Sequence, residues 1–407
     1  MKRLVDQFNF KDKTVLVRTD YNVPIQASQI QNDMRIRASL GAIRALMMAG
    51  ARKIILVSHL GRPAGQGFEA ELSLAPVAEH LEQLLKQSVG WVADWQELTP
   101  EQLPPERIVL FENLRFWTGE ANNDEAFARQ LVASTGAEVF VQDGFAVAHR
   151  QSATTEAITK LLPSYASDNF VREYITVGGF LQTAQRPLVA IVGGAKISDK
   201  IDFLIKLAGE VDYLIIGGAM ANVFLAEAGF GVGRSLVENN QAPAVQAVYQ
   251  AWTGAGKSLD RLILPSDVLA VRDLQATEAV AKPLGQLTAT EIIGDIGPET
   301  IAKITTLIQQ AGAVLWNGNL GYSENPSLAG GSVAVINALI KHHTPVLIGG
   351  GDTVGFVDNF TTKNQTSARG AVYPELFLST GGGASLELLA YGELPGAKGL
   401  LNLQKPL

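Results

Sequence analysis

The chain has 407 residues, enough for two domains, and its 47% hydrophobic and 18% charged content is that of a folded protein with a substantial core. A formal net charge of −7 argues against broad binding to nucleic acid or to an anionic membrane surface, so an acidic ligand would need a local basic cluster. With no cysteine, disulfides, thiolate catalysis and thiolate metal sites are excluded, and the five histidines show no zinc-type spacing. The opening MKRLVDQFNFKDK holds no apolar run of signal-peptide length and no stretch approaches a membrane span, so a cytoplasmic location is expected.

In the first half, apolar runs at Thr14–Val17, Lys53–Val57, Arg107–Phe111 and Glu138–Val141 alternate with helical periodicity at Arg37–Ala49, Ala75–Lys86 and Asp124–Ser134. Such alternation predicts an α/β domain, a parallel sheet covered by helices, with ligands beyond the carboxyl ends of the strands. The residues just past each run carry the signal. Val17 leads into Arg18, Asp20, Tyr21 and Asn22, with Arg35 opening the next helix. Val57 leads into His59 and Arg62, Phe111 into Arg115, and Val141 into Asp143 and then His149 and Arg150. One arginine after a strand reads as a surface ion pair. Five at corresponding strand ends of an acidic protein predict a pocket for a small polyanion, since guanidinium suits bidentate recognition of carboxylate or phosphate. His59 suits an anion as well, whereas His149 reads as a packed or capping residue.

The stretch Leu161–Gln185 carries breakers around a helical segment at Phe170–Tyr174 and reads as a domain junction. Beyond it, LVAIVGGAKISDK places a buried strand, Leu188–Val192, before Gly193-Gly194 and a helix whose apolar face is Ile201, Leu204, Ile205 and Ala208. Ser198 is expected to cap that helix, with Asp199 favoured by its dipole. Glycines between strand and helix, with Lys196 and Lys200 beside them, suit a phosphate, although the same residues also suit a tight turn with solvated lysines. The theme recurs. Tyr213–Ile216 runs into Gly217-Gly218, Ala313–Trp316 into Asn317 through Glu324, Pro345–Ile348 into Gly349-Gly350-Gly351-Asp352-Thr353, and Leu376–Leu378 into Gly381-Gly382-Gly383. Where the first half ends strands with arginines, the second ends them with glycines, which points to two ligands, the second a nucleotide held by backbone and shape. Asp352 suits Mg²⁺ beside phosphates or a helix N-cap. Glu324 suits ribose hydroxyls or plain solvent. Two look-alikes are set aside: Gly254–Ser258 lacks the first glycine of a phosphate-binding loop and follows a helix, and Gly229–Gly233 misses the dinucleotide spacing.

In order along the chain stand VLVRTDYNVP, SHLGRP, FENLRF, AHR, GGAKISDK, LPSD, DIGPET, WNG, GGGDT and STGGGASLELL. Ten such strings in order are highly specific, and over essentially its whole length the chain resembles phosphoglycerate kinase. The resemblance implies two doubly wound, Rossmann-like parallel-sheet domains joined by a hinge helix. Residues 1–170 would bind the triose phosphate, residues 171–187 would be the hinge segment, residues 188–390 would bind the nucleotide, and the tail, about 391–407, would return to the first domain. It implies reversible phosphoryl transfer between 1,3-bisphosphoglycerate and ADP, giving 3-phosphoglycerate and ATP, with Mg²⁺, by a monomer with no nucleic-acid or membrane partner. The triose site would be Asp20, Asn22, Arg35, His59, Arg62, Arg115 and Arg150, with Arg18 in support. The nucleotide side would be Gly193, Gly194, Lys200, Gly217, Asn317, Glu324, Gly350, Gly351, Asp352 and Thr353, with Asp352 on the metal. Lys196 and Arg35 would flank the phosphoryl group in flight, with backbone N–H groups from Gly381–Gly383. The sequence departs from the family's usual strings at Gln142–Val147, at Gln151-Ser152-Ala153, at Gly218–Asn222 and at Asn319–Tyr322, sparing every charged catalytic position.

Overall fold

The computed structural model describes residues 3–65, 67–365 and 373–403. The first sheet collects β1 (Thr14–Arg18), β4 (Lys53–Val57), β5 (Val89–Val92), β6 (Ile108–Phe111), β7 (Val139–Gln142) and β8 (Ser164–Ala166), while β2 (Ile25–Gln26) and β3 (Gln29–Ile30) form a separate small hairpin. The order is β5-β6-β4-β1-β7-β8, with every pair parallel. The central strand β1 is buried at all five positions, as expected of strands covered on both faces. Helices Met34–Met48, Ala75–Leu85 and Glu125–Thr135 flank the strands in sequence. Ile36, Leu40, Ile43, Leu46, Val77 and Leu81 from the first two pack into one apolar cluster with Val15, Val17, Ile54 and Leu56, and each such fully buried side chain contributes about 1.5–3 kcal/mol.

The second sheet is β11 (Leu262–Ile263), β10 (Tyr213–Ile216), β9 (Leu188–Val192), β15 (Ala313–Asn317), β16 (Val346–Gly349) and β17 (Leu376–Leu378), in that order and parallel throughout. Both sheets are doubly wound: from β9 the chain runs outward through β10 to β11, from β1 it runs through β4 to the edge strand β5 and back to β6 between them, and it then crosses to the other side of the first strand at β7 and at β15. The crevice at such a reversal is where open α/β sheets bind ligands. A three-stranded antiparallel sheet, β13-β12-β14, from Val280–Pro283, Asp267–Val271 and Ile292–Ile296, is inserted between β11 and β15.

By internal contacts the chain forms two compact units, one running through Thr176 and resuming at Tyr391, the other Val177–Ala390. The helix Asp168–Thr183 carries the chain from the first into the second. In the first unit the returning tail is bonded to early residues: Gly396 N–H donates to Ala148 O (2.8 Å) and Leu401 N–H to Ser164 O (2.9 Å). The Asn402 amide accepts from Ala166 N–H (2.8 Å) and donates to Ala166 O (3.0 Å), pairing with the edge strand β8. No described helix is long and apolar enough to cross a membrane.

Candidate active site

At the carboxyl end of the first sheet the turns are set by buried polar clamps. Glu112, just past β6, accepts from Ser73 Oγ (2.6 Å), Leu74 N (2.7 Å) and Asn113 N (2.7 Å), satisfying donors at the start of the helix Ala75–Leu85. Asn113 donates to Leu60 O (2.7 Å) and Leu72 O (3.0 Å) and accepts from Arg115 N (3.1 Å), so one amide fixes both the His59–Arg62 turn and the start of Arg115. Asn22 Oδ1 accepts from Gly61 N–H (2.9 Å), tying the loop after β1 to the same turn.

On these clamps the predicted residues converge. Arg18, Arg62, Arg115 and Arg150 line one pocket of about 310 Å³. Beside it Arg35 pairs with Asp20 (2.9 Å) and donates to Asn22 O (3.1 Å). Arg62 is exposed and makes no hydrogen bond among the described residues, leaving its guanidinium available to an anion. Arg115 donates to Gly61 O (2.9 Å), and burial, with Arg150 and Arg18 nearby, pushes its pKa down to about 10. His59 is buried and its pKa lies well below the usual value, first through burial and then through Arg18, Arg115, Arg150 and Arg35. It is therefore neutral at pH 7. Its Nδ1 lies 3.2 Å from Arg18 Nη2, which can only donate, so the ring proton is on Nε2 and His59 is a hydrogen-bond donor.

Arg18 belongs below the pocket more than in it. It is 1% exposed, and its guanidinium donates to Thr19 O (3.0 Å) and faces Glu120 at 3.8 Å. Glu120 is the residue that sequence reading overlooked. Buried, it accepts from Ser152 Oγ (2.9 Å), Thr154 Oγ1 (2.6 Å) and Thr154 N–H (3.1 Å), joining Arg18 to the segment that carries Arg150. A single glutamate on one helical turn has no spacing that announces this role. His149 is half-buried and accepts from Arg150 Nε (3.2 Å); burial first, and then the charge of Arg150, brings its pKa down to about 4.

The second sheet ends in a cavity of about 650 Å³. Gly194, Lys196, Lys200, Asn317, Glu324, Gly350, Gly351, Asp352, Thr353 and Gly382 line it. Lys200 Nζ donates to Gly193 O (2.6 Å), Asn317 Oδ1 (2.6 Å) and Asn317 O (3.3 Å), linking β9 and β15 across the strand-order reversal. Burial lowers its pKa to about 8, against the opposing fields of Asp352 and Asp199. Thr353 Oγ1 accepts from Gly318 N–H (2.8 Å). Three predicted glycines lie behind the lining. A Cβ on Gly193 would sit 2.2 Å from Asn319 O, so glycine is required there by the close crossing of two backbones. Gly217 packs against Leu320, and Gly381 N–H is taken by Ser379 Oγ (3.2 Å).

One expectation is corrected, and one element is unexpected. Ser198 does not cap the helix Ile201–Glu210, whose N-cap is Lys200 with no side-chain capping bond; Ser198 instead bonds Glu238, which reaches it from a distant segment. The apolar wall of the cavity comes partly from the inserted antiparallel sheet, through Val268, Ile292 and Ile293, an element that the strand–glycine–helix theme does not predict. The Gly254–Ser258 look-alike is the turn that leaves the helix Ala242–Gly254, and Lys257 donates to Ala208 O (2.6 Å).

The family model described as "Phosphoglycerate kinase" matches residues 5–391. The chain belongs to the phosphoglycerate kinase family. Curated phosphoglycerate kinases of Moorella thermoacetica and Roseiflexus castenholzii are each 39% identical to it over 98% of this chain and 99% of theirs. Among solved structures, the phosphoglycerate kinase of Coxiella burnetii is similar with a TM-score of 0.79 at 36% identity, covering 98% of this chain and 99% of that one. The Pyrococcus horikoshii phosphoglycerate kinase is similar with a TM-score of 0.81 at 26% identity over 98% of both chains. The family's two-domain α/β fold thus extends to this chain.

Among the described residues no group of three or more His, Cys, Asp and Glu side chains could hold a metal ion. Asp352 nevertheless has the chemistry of a single-carboxylate Mg²⁺ ligand. Its carboxylate lies exposed in the first turn of the helix Gly351–Gln365, lines the cavity with two lysines, and has no hydrogen bond among the described residues. One carboxylate with phosphate oxygens and water is the usual Mg²⁺ set.

Proposed function

We infer that this chain catalyses reversible phosphoryl transfer between 1,3-bisphosphoglycerate and ADP, giving 3-phosphoglycerate and ATP. The observation that carries the reading is the contrast of two sheet edges in one member of this family: one pocket lined by four arginines, one cavity lined by glycines, two lysines and Asp352. In our assignment residues 1–170, with the tail at about 391–407, bind the triose phosphate, and residues 188–390 bind the nucleotide. Arg62, Arg115 and Arg150 take the anionic groups, His59 donates from Nε2, and Asp20 and Asn22 hold Arg35 in place. Glu324 takes the ribose, and the turns at Gly194, Gly350 and Gly351 approach the phosphates. Mg²⁺, held through Asp352, supplies charge neutralisation of those phosphates when bound.

The nucleophile in each direction, a β-phosphate oxygen of ADP or the carboxylate of 3-phosphoglycerate, is already ionised at pH 7, so the reaction needs no general base. Rate then comes from alignment and from positive charge on the transferring oxygens, roles we assign to Lys196 and Arg35 with the N–H groups at Gly382 and Gly383. Transfer requires the two ligands to meet with water excluded, and we assign that closing to the segment 171–187. We further propose a cytoplasmic monomer without nucleic-acid or membrane partners, its mass testable by light scattering. The deciding experiment is a coupled assay of ATP-dependent 3-phosphoglycerate phosphorylation with Lys196→Ala beside the wild type. Mg²⁺-dependent turnover that falls about 100- to 1000-fold in the variant is expected. Absent wild-type turnover refutes the reading.

A further inference from the structure

Glu238 lies on the segment between the helices Gly218–Glu227 and Ala242–Gly254, outside the ten strings quoted above. Its Oε2 accepts the backbone N–H groups of Ile197 (2.9 Å) and Ser198 (3.1 Å), and its Oε1 accepts the Ser198 hydroxyl. These are the two residues directly after Lys196. Successive N–H groups turned toward one anion form a nest, which takes whatever anion is offered. Here the protein fills it with its own carboxylate. Lys196 itself is exposed and makes no hydrogen bond among the described residues, so the reach of its ammonium is set by the backbone beneath it. The segment bearing Glu238 is rooted in the cavity wall: Arg234 N–H donates to Glu291 O (2.7 Å) and Ser235 Oγ accepts from Ile293 N–H (2.8 Å). Asn222 Nδ2 donates to Leu236 O (3.0 Å), and Leu236 lines the cavity. The Glu238 carboxyl is held below its usual range, first by the Ser198 hydroxyl and with help from Lys196, so its charge is present at neutral pH.

We propose that Glu238 is a positioning residue: it locks the Ala195–Ser198 turn to the cavity wall, so that Lys196 is pre-placed for the transferring phosphoryl group and substrate phosphates are kept out of the nest. The proposal rests on the nucleotide reading of this cavity. Its test compares E238Q and E238N, which share an amide and differ by one methylene of reach. E238Q can keep the contacts; E238N cannot. E238N is expected to lower kcat about 10- to 100-fold. In both variants KM for ATP is expected to stay within about threefold of wild type, and E238Q is expected to retain kcat within about threefold. Ser198→Ala, which removes one of three contacts, loses less than E238N. Wild-type kcat in E238N overturns the proposal, and so does an equal loss in both variants, which would trace the effect to charge and not to reach. A readout independent of turnover is the rate at which acetic anhydride modifies Lys196, followed by peptide mass spectrometry. The rate should change in E238N and not in E238Q, and equal rates in all three proteins overturn the proposal. Absent wild-type turnover would sink the kinase reading alone.

Discussion

Binding of ADP is expected to draw a proton onto Lys200. This ammonium lies buried among Gly193 O, Asn317 Oδ1 and Asn317 O, and burial brings its pKa from 10.5 to about 8. Those acceptors satisfy the ammonium's donors but supply no full negative charge, so the neutral form gains ground. A bound diphosphate brings that charge and returns the group toward its ordinary range. At pH 8 about half of the empty sites are charged, so saturating ADP takes up about 0.5 proton per site, against about 0.1 at pH 7. Apparent affinity should be level below pH 8 and weaken about tenfold per unit above it, 1.36 kcal/mol for each unit, until the bound-state pKa is reached. Isothermal titration at pH 8 in two buffers of different ionisation enthalpy reads the uptake directly. Lys200→Met should abolish the buffer dependence. Saturable binding by the wild type with no buffer dependence at pH 8 would refute the reasoning.

Other outcomes rest on the same geometry. Arg62→Ala removes an exposed guanidinium with no hydrogen bond among the described residues, so KM for 3-phosphoglycerate should rise about tenfold with the melting temperature unchanged; a lowered melting temperature would show a structural role instead. Glu120→Ala leaves Arg18 buried without its carboxylate and strips partners from Ser152 and Thr154, so urea unfolding should show a loss of about 3–5 kcal/mol. Asp143 is buried, bonded by Ser167 Oγ (2.5 Å), and its pKa is pushed up to about 7, chiefly by burial, against an ordinary 3.8. The folded state therefore keeps this proton between pH 4 and 7 while the unfolded chain loses it, and stability from this group falls as pH rises through that window. Asp143→Asn lacks the fall, so its melting temperature relative to wild type should climb from pH 4 to pH 7; a constant difference would refute the assignment.

The parallel strands were legible because β1, β4, β6, β7, β9, β10, β15 and β16 are short apolar runs with a change of composition at each end. Missed strands lack that contrast. β5 is Val-Gly-Trp-Val, with a glycine inside and Trp91 39% exposed, and β8 is three residues beside Pro163. Of the inserted antiparallel strands, Val280–Pro283 is largely exposed and Ile292–Ile296 is interrupted by Gly294 and Asp295, while the apolar run Val268–Val271 leads into Arg272 and Asp273 with no glycine turn and so falls outside the strand–glycine–helix theme. The arginine pocket was legible as a set because parallel connections bring successive strand ends to one edge, whatever each residue does alone. The tasks within the set were not. Arg18 faces inward because Glu120, about a hundred residues later, is there to receive it. Ser198 is taken from its helix by Glu238, forty residues away, and long-range partners of this kind leave no local trace.

The pairing of Asn402 and Leu401 with β8 has a consequence for how the chain comes into being. An uncovered strand edge offers its N–H and C=O groups to any other chain. On the ribosome, the first unit emerges with that edge bare and stays so while more than two hundred further residues, a whole second unit, are made. Domains generally fold in order of synthesis. This one cannot finish in that order: its edge is sealed only by residues translated after the whole second unit, and a product stalled or truncated before them carries an open edge for a chaperone or a protease to find.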